Sequence, residues 1–136
     1  MSIFNSLFGN SEEKKTTATT NKINWIPLTD LGQLNEIVAL SNEKPVAIFK
    51  HSTRCSVSRF ALKQFEVETL QCNVFTQDNV SAYFLDLIEY REISNEIANR
   101  FQVVHQSPQV LLIKNGQSVY DASHSDINAE ELAERL

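Results

Sequence analysis

The stretch VAIFKHSTRCSVSRF, Val46 to Phe60, decides how the chain is read. Its first four residues are apolar without alternation, as in a strand of a sheet covered on both faces. The polar segment KHSTR then leads to Cys55. A helix is expected to begin close to that cysteine and run towards Leu70, with Phe60, Leu62, Phe65 and Val67 among its inward residues. A buried strand, a polar turn and a helix form the unit from which open parallel sheets are built. Ligands bind such sheets beyond the carboxyl ends of the strands, which is where Cys55 stands.

Outward from this unit the same alternation continues. INWI, ending at Ile26, reads as a short strand. Thr29 or Asp30 is placed to cap a helix with Leu31, Leu34, Ile37 and Val38 on its apolar face. Pro45 ends that segment. SAYFLDLI is the next strand, and Tyr90 to Phe101 a third helix, with Ile93, Ile97, Ala98 and Phe101 on one side. QVLLIK and QSVYDA flank Asn115-Gly116, a hairpin signal that makes this pair antiparallel. Asp126 is expected to cap a last helix carrying Ile127, Leu132 and Leu136. The order β-α-β-α-β-α-β-β-α predicts an α/β fold with a mixed central sheet flanked by helices.

Residues 1–22 read as a flexible arm, because NSEEKKTTATTNK offers no periodic apolar face, and residues 23–136 as one domain. At 136 residues, with 42% apolar and 21% charged content, the chain has the profile of a soluble globular protein. A net charge of −5 argues against nucleic acid as a partner. The apolar runs are too short to span a membrane. The N-terminus lacks the pattern of a secretory signal, so a reducing cytoplasm is the expected location. The sequence leads us to expect a monomer.

Cys55 carries the chemistry in this reading. The free N–H groups and dipole of a helix start favour an anion, and a thiolate is one. Lys50, Arg54 and Arg59 add positive charge nearby in sequence. A structural cysteine is the ordinary alternative, but the polar loop argues against burial. Ser58 shares a helix face with Cys55. It is either a hydrogen-bond donor to the thiolate or a solvated first-turn serine, and it cannot act as a second thiol. Cys72 is too far along the same helix to pair with Cys55. His51 is placed either to help hold the thiolate or to stand in solvent. The three histidines and two cysteines have no metal-ligand spacing, so no metal is expected. Pro108 has two readings: an ordinary first strand residue, or a cis Ser107-Pro108 bond that exposes the Ser107 backbone to a ligand.

Together, VAIF before a Cys-x-x-Ser that opens a helix, and Ser-Pro before QVLLIKNG, resemble the thioredoxin fold over about residues 24–136. More narrowly, KHSTRCSVS resembles the active-site segment His-Ser-x-x-Cys-x-x-Ser of the YtxJ-type monothiol bacilliredoxins. The resemblance implies action on mixed disulfides between proteins and bacillithiol, a low-molecular-weight thiol. It makes Cys55 the nucleophile, puts Ser58 where a resolving cysteine would be, and gives Pro108 the place of the fold's cis-proline beside the thiol. Bacillithiol is then a co-substrate rather than a bound cofactor. The partners are S-bacillithiolated proteins and a regenerating thiol or reductase. Bacillithiol carries a malate, whose carboxylates Lys50, Arg54 and Arg59 are expected to meet.

The chain departs from thioredoxin proper. It lacks the second cysteine, has Ser56-Val57 in place of Gly-Pro, and has apolar Ile48 and Phe49 where thioredoxin buries an aspartate. It also has DASHSD where iron–sulfur monothiol glutaredoxins have Gly-Gly. Rival readings are a transferase for glutathione or coenzyme A, a non-catalytic redox-sensing module, and an iron–sulfur carrier dimer.

Overall fold

The computed structural model describes residues 22–72, 75–76 and 78–136. The expected arm therefore lies outside the described residues, apart from Lys22. Among the described residues five strands form one sheet: β1 (Ile26–Pro27), β2 (Val46–His51), β3 (Ser81–Asp86), β4 (Gln109–Lys114) and β5 (Gln117–Ser123). Their spatial order is β1-β3-β2-β4-β5. The β1, β2 and β3 strands are parallel, and β4 and β5 add an antiparallel hairpin. Four helices among the described residues cover the faces: α1 (Gly32–Leu40), α2 (Ser56–Gln71), α3 (Arg91–Phe101) and α4 (Ala129–Ala133), the last preceded by a 3-10 turn, His124–Asp126. This is the mixed α/β architecture expected from the element order, although β1 is shorter than INWI suggested.

Successive strand residues point to opposite faces, and both faces of β2 are covered. Val46 and Ile48 join Leu34, Ile37, Ile93 and Ile97 on the side of α1 and α3. Ala47 and Phe49 join Phe65, Val110, Leu112 and Leu132 on the side of α2 and α4. That double burial is why VAIF is apolar throughout. Phe65 is the anchor of the second layer. It packs against Phe49 at 5.6 Å and edge-on against Phe75 at 5.9 Å between ring centroids. Full burial of such a side chain contributes about 1.5–3 kcal/mol.

The inward face of α2 differs from the expected one. Ser58, Phe65 and Thr69 are buried, with Ala61 and Leu62 packed beside them. Phe60 is 72% exposed and Val67 44% exposed. Positions 58, 61, 62, 65 and 69 follow the 3.6-residue period, so a serine and a threonine take inward places while two apolar residues face out. On α1, Leu34 and Ile37 are buried, but Leu31 precedes the helix and is exposed. Asp30 accepts the Gly32 N–H at 2.8 Å, which ties down the start of α1. The last helix is capped by Asn128, whose side chain accepts the Glu131 N–H at 3.0 Å, and not by Asp126, which is spent in the preceding turn. The hairpin bends at Asn115 and Gly116, both at positive φ as a two-residue connection requires. Ser41 accepts both of their N–H groups at 2.8 Å, through its carbonyl and its hydroxyl.

Candidate active site

The site grows from the carboxyl end of β2. The Leu87 N–H donates to the His51 carbonyl at 3.0 Å, which fixes that end against the chain leaving β3. A tight turn follows, closed by the Cys55 N–H on the Ser52 carbonyl at 3.2 Å. Cys55 is the N-cap residue of α2, in extended conformation. Its carbonyl accepts the first helical bond from Arg59 at 3.1 Å. The side chain is half-buried and the thiol is free. The N–H groups of the first helical turn lack intrahelical partners, so Cys55 stands at a helix end with unpaired backbone donors.

Ser58 is fully buried. Its Oγ accepts the Ser52 N–H at 3.0 Å and lies 2.8 Å from Nδ1 of His51. Neither reading describes this chain: the serine is not solvated, and its hydroxyl is engaged by Ser52 and His51, with no hydrogen bond to the Cys55 sulfur among the described residues. His51 is also buried, with its ring 5.3 Å from that of Phe84. Burial pulls the pKa of His51 below its usual 6.5; Asp86 and Glu66 oppose that shift and Arg59 adds to it.

The antiparallel register pairs Lys50 with Gln109, which sets Pro108, one residue earlier, level with His51. The Ser107-Pro108 peptide is cis. The Pro108 carbonyl accepts the His124 N–H at 2.9 Å. The turns at 52–55, 107–108 and 123–124 thus converge on one end of the sheet. The Ser107 hydroxyl there is buried without a protein partner among the described residues.

Lys50 departs from its expected place. It is fully buried and turns to the α3 side, where Nζ donates to the Ser94 carbonyl at 3.2 Å and lies 3.4 Å from Nδ1 of His105. Strand alternation is the reason: Lys50 and His51 must point to opposite faces. The ammonium therefore cannot meet a ligand carboxylate beside Cys55. Burial lowers its pKa from 10.5 to about 8. Arg54, next to Cys55 in the chain, and Arg59, near the start of α2, are exposed, with Nη1 of Arg59 on the Thr53 carbonyl at 3.3 Å.

A groove of about 370 Å³ begins two residues beyond Cys55. Val57, Phe60, Ala61 and Ile127 supply apolar walls, and His124, Ser125 and Asn128 polar ones. Sequence reasoning assigned Phe60 to the core and gave His124 no role. The signal in reach was the period of α2, which already placed Val57 and Phe60 on one side and Ser58 and Phe65 on another. Cys72 caps the far end of the sixteen-residue α2, so the Cα atoms of the two cysteines are about 25 Å apart along the helix. Among the described residues no group of three or more His, Cys, Asp or Glu side chains is gathered as for a metal ion. None of their helices is long and apolar enough to cross a membrane.

Residues 26–132 match the family described as monothiol bacilliredoxin BrxC. The chain belongs to that family. Among solved structures, the bacilliredoxin chain is 30% identical to a candidate oxidoreductase with a thioredoxin fold, at a TM-score of 0.66, over 80% of this chain and 90% of that one. It is 19% identical to thioredoxin from Malassezia sympodialis, at a TM-score of 0.63, over 85% and 90% of the two chains. Oxidised thioredoxin from Plasmodium falciparum is 16% identical, at a TM-score of 0.60, over 82% and 97%. The last two show the fold alone. The fold is that of thioredoxin, and family and fold together make this bacilliredoxin a thiol redox protein.

Proposed function

We propose that the protein is a monothiol thiol–disulfide exchange enzyme that removes bacillithiol from protein mixed disulfides in the cytoplasm. The Cys55 thiolate attacks the bacillithiol sulfur of a protein–S–S–bacillithiol bond. The old S–S bond breaks, the protein thiolate leaves, and a Cys55–S–S–bacillithiol bond forms. A second bacillithiol thiolate then attacks the bacillithiol sulfur of that adduct. Bacillithiol disulfide forms, and the Cys55 thiolate is released. Neither step needs a second protein thiol.

The observation that carries this reading is Ser58. A buried hydroxyl occupies the position of a resolving thiol, and Cys72 stands at the other end of α2. Arg54 and Arg59 are exposed where two carboxylates of a malate can meet guanidinium groups. The apolar groove past Val57 and Phe60 gives the polypeptide of the protein substrate a surface to lie against.

The test is mass spectrometry of the protein after incubation with a bacillithiolated test protein, run beside a glutathionylated one. A bacillithiol adduct on Cys55, with the test protein released, is the expected result. Transfer from the glutathione substrate alone keeps the exchange chemistry and replaces the thiol. No adduct from either favours a redox-sensing module without catalysis.

A further inference from the structure

The loop from α3 to β4, residues 102–108, is tied down from beneath at two successive residues. Nε2 of Gln109 donates to the Val104 carbonyl at 3.0 Å and to Oγ of Ser123 at 3.2 Å. Nδ1 of His105 lies 3.1 Å from Oγ of Ser94 on α3 and 3.4 Å from Nζ of Lys50. Lys50 and Gln109 stand opposite each other in the β2–β4 register, and both are buried. The Val104 side chain itself is 78% exposed. An ammonium has three hydrogens to give and no lone pair. Nδ1 of His105 must therefore be bare to meet it, and the hydrogen of a neutral ring then sits on Nε2. Among the described residues no carboxylate pairs with Lys50. A buried cation without a counter-ion is unfavourable, so its place beneath this loop calls for a reason.

We propose that His105 is the positioning residue of the loop that carries Ser107 and Pro108, that Lys50 holds it there as a neutral imidazole, and that protonating His105 releases the loop. A charged ring carries hydrogen on both nitrogens. Its Nδ1–H would face the ammonium, donor against donor and positive charge against positive charge. The ring gives up that contact, and the loop loses one of its two ties. Loss of the proton from Lys50 has no such effect, because a neutral amine has a lone pair to accept with. The latch therefore opens on the acid side. Lys50 on β2 and Arg91 at the start of α3 both oppose a charged ring, and burial, the largest effect, acts with them to hold the His105 pKa below its usual 6.5. Lys50, with its pKa at about 8, is still an ammonium at neutral pH. The closed loop sets Val104, Ser107 and Pro108 as one wall at the sheet end where the Cys55 turn also lies. The consequence for exchange, a looser site in acid, rests on Cys55 as the nucleophile; the latch itself does not.

The test is NMR of the full, reduced chain, followed from about pH 7.5 down to about pH 4.5. Imidazole nitrogen shifts give the state of His105. Hydrogen exchange of the His124 N–H, which donates to the Pro108 carbonyl at 2.9 Å, gives the position of the loop. At neutral pH we expect a neutral His105 with its hydrogen on Nε2. Protection of the His124 N–H should fall about ten-fold as the His105 ring takes up its proton, with the same midpoint. In Lys50→Met the ring should protonate at higher pH. Its protonation should then cost no protection, because Nδ1–H is free to donate to Ser94. An Nδ1–H ring at neutral pH in the parent overturns the proposal. So does protection that stays level through the His105 titration, or that follows the His124 ring instead, and so does an undiminished loss in Lys50→Met. If Lys50→Met does not fold, the parent titration decides alone. No disulfide substrate enters these measurements, so a failure of the proposed exchange activity is separately visible.

Discussion

Lys50 and His51 are neighbours in β2 and serve opposite faces of the sheet: Nζ of Lys50 reaches Ser94 and His105 under α3, while Nδ1 of His51 reaches Ser58 on α2. One residue secures the underside of the loop that leads to Pro108, and the next joins the turn that carries Cys55. Both are buried polar groups at the last positions of an otherwise apolar strand, where the sheet gives way to the site. Their different fates follow from the two-residue period of a strand and nothing else.

The buried ammonium of Lys50 has a pH signature. Its pKa is about 8 in the folded chain and 10.5 when exposed. Between those values the unfolded chain binds more protons than the folded one, so stability rises with pH across the window. The penalty for burying the charge is present in full below about pH 8 and gone above 10.5. The integrated effect is on the order of 3 kcal/mol. Urea unfolding of the wild type and of Lys50→Met at about pH 7, 8, 9 and 10 checks this. The difference between the two should move in favour of the wild type as pH rises. A constant difference would show that the ammonium titrates as an exposed one.

Cys55 and Cys72 should separate cleanly in a thiol-exchange assay. Cys55→Ser is expected to abolish exchange, because its hydroxyl cannot form the mixed disulfide. Cys72→Ser should leave the rate within about two-fold. Cys72 is half-buried against the α2–α4 layer, and burial raises its pKa, with Glu130 and Glu68 adding to the shift, so it is a poor nucleophile near neutrality. Retained turnover in Cys55→Ser would remove the exchange mechanism altogether.

Much of this was legible in the sequence. Strand–helix alternation, the Asn115-Gly116 turn and the position of Cys55 are local signals, written within a few residues. The direction of Lys50 was also legible, since Ile48 and Lys50 share a parity, but its charge suggested surface. The inward turn of Ser58 was not. It depends on a hydrogen bond to His51 seven residues earlier and on the turn between them, and a serine carries no apolar signal to reveal its face. Phe60 misled for the opposite reason. Hydrophobicity alone suggested core, whereas the period of α2 set it on the outside.

Phe60 and Phe65 should therefore respond differently to truncation. Phe65→Ala removes a fully buried ring that packs on Phe49, Phe75 and Trp25, and should cost about 3–5 kcal/mol in denaturant unfolding. Phe60→Ala should change stability by no more than about 0.5 kcal/mol. If the groove holds the protein substrate, Phe60→Ala should raise KM for a bacillithiolated protein and leave reduction of a small mixed disulfide unaffected. Equal losses on both substrates would assign Phe60 to the low-molecular-weight thiol instead.

Ser58→Cys tests whether the site keeps dithiol geometry although it has one thiol. Residues 55 and 58 are the N-cap and third residue of α2, within the Cα separation of about 7 Å that a disulfide tolerates. The new sulfur replaces an oxygen that accepts from Ser52 and pairs with His51, so some loss of stability is expected, about 1–3 kcal/mol for the weakened bonds. Mild oxidation should then close a disulfide between Cys55 and the introduced thiol, read as a mass lower by two hydrogens and as one remaining free thiol, that of Cys72. The wild type under the same oxidation should show no internal loss of thiols. An oxidised variant that forms only dimers would mean that the Cys55 side chain points away from position 58.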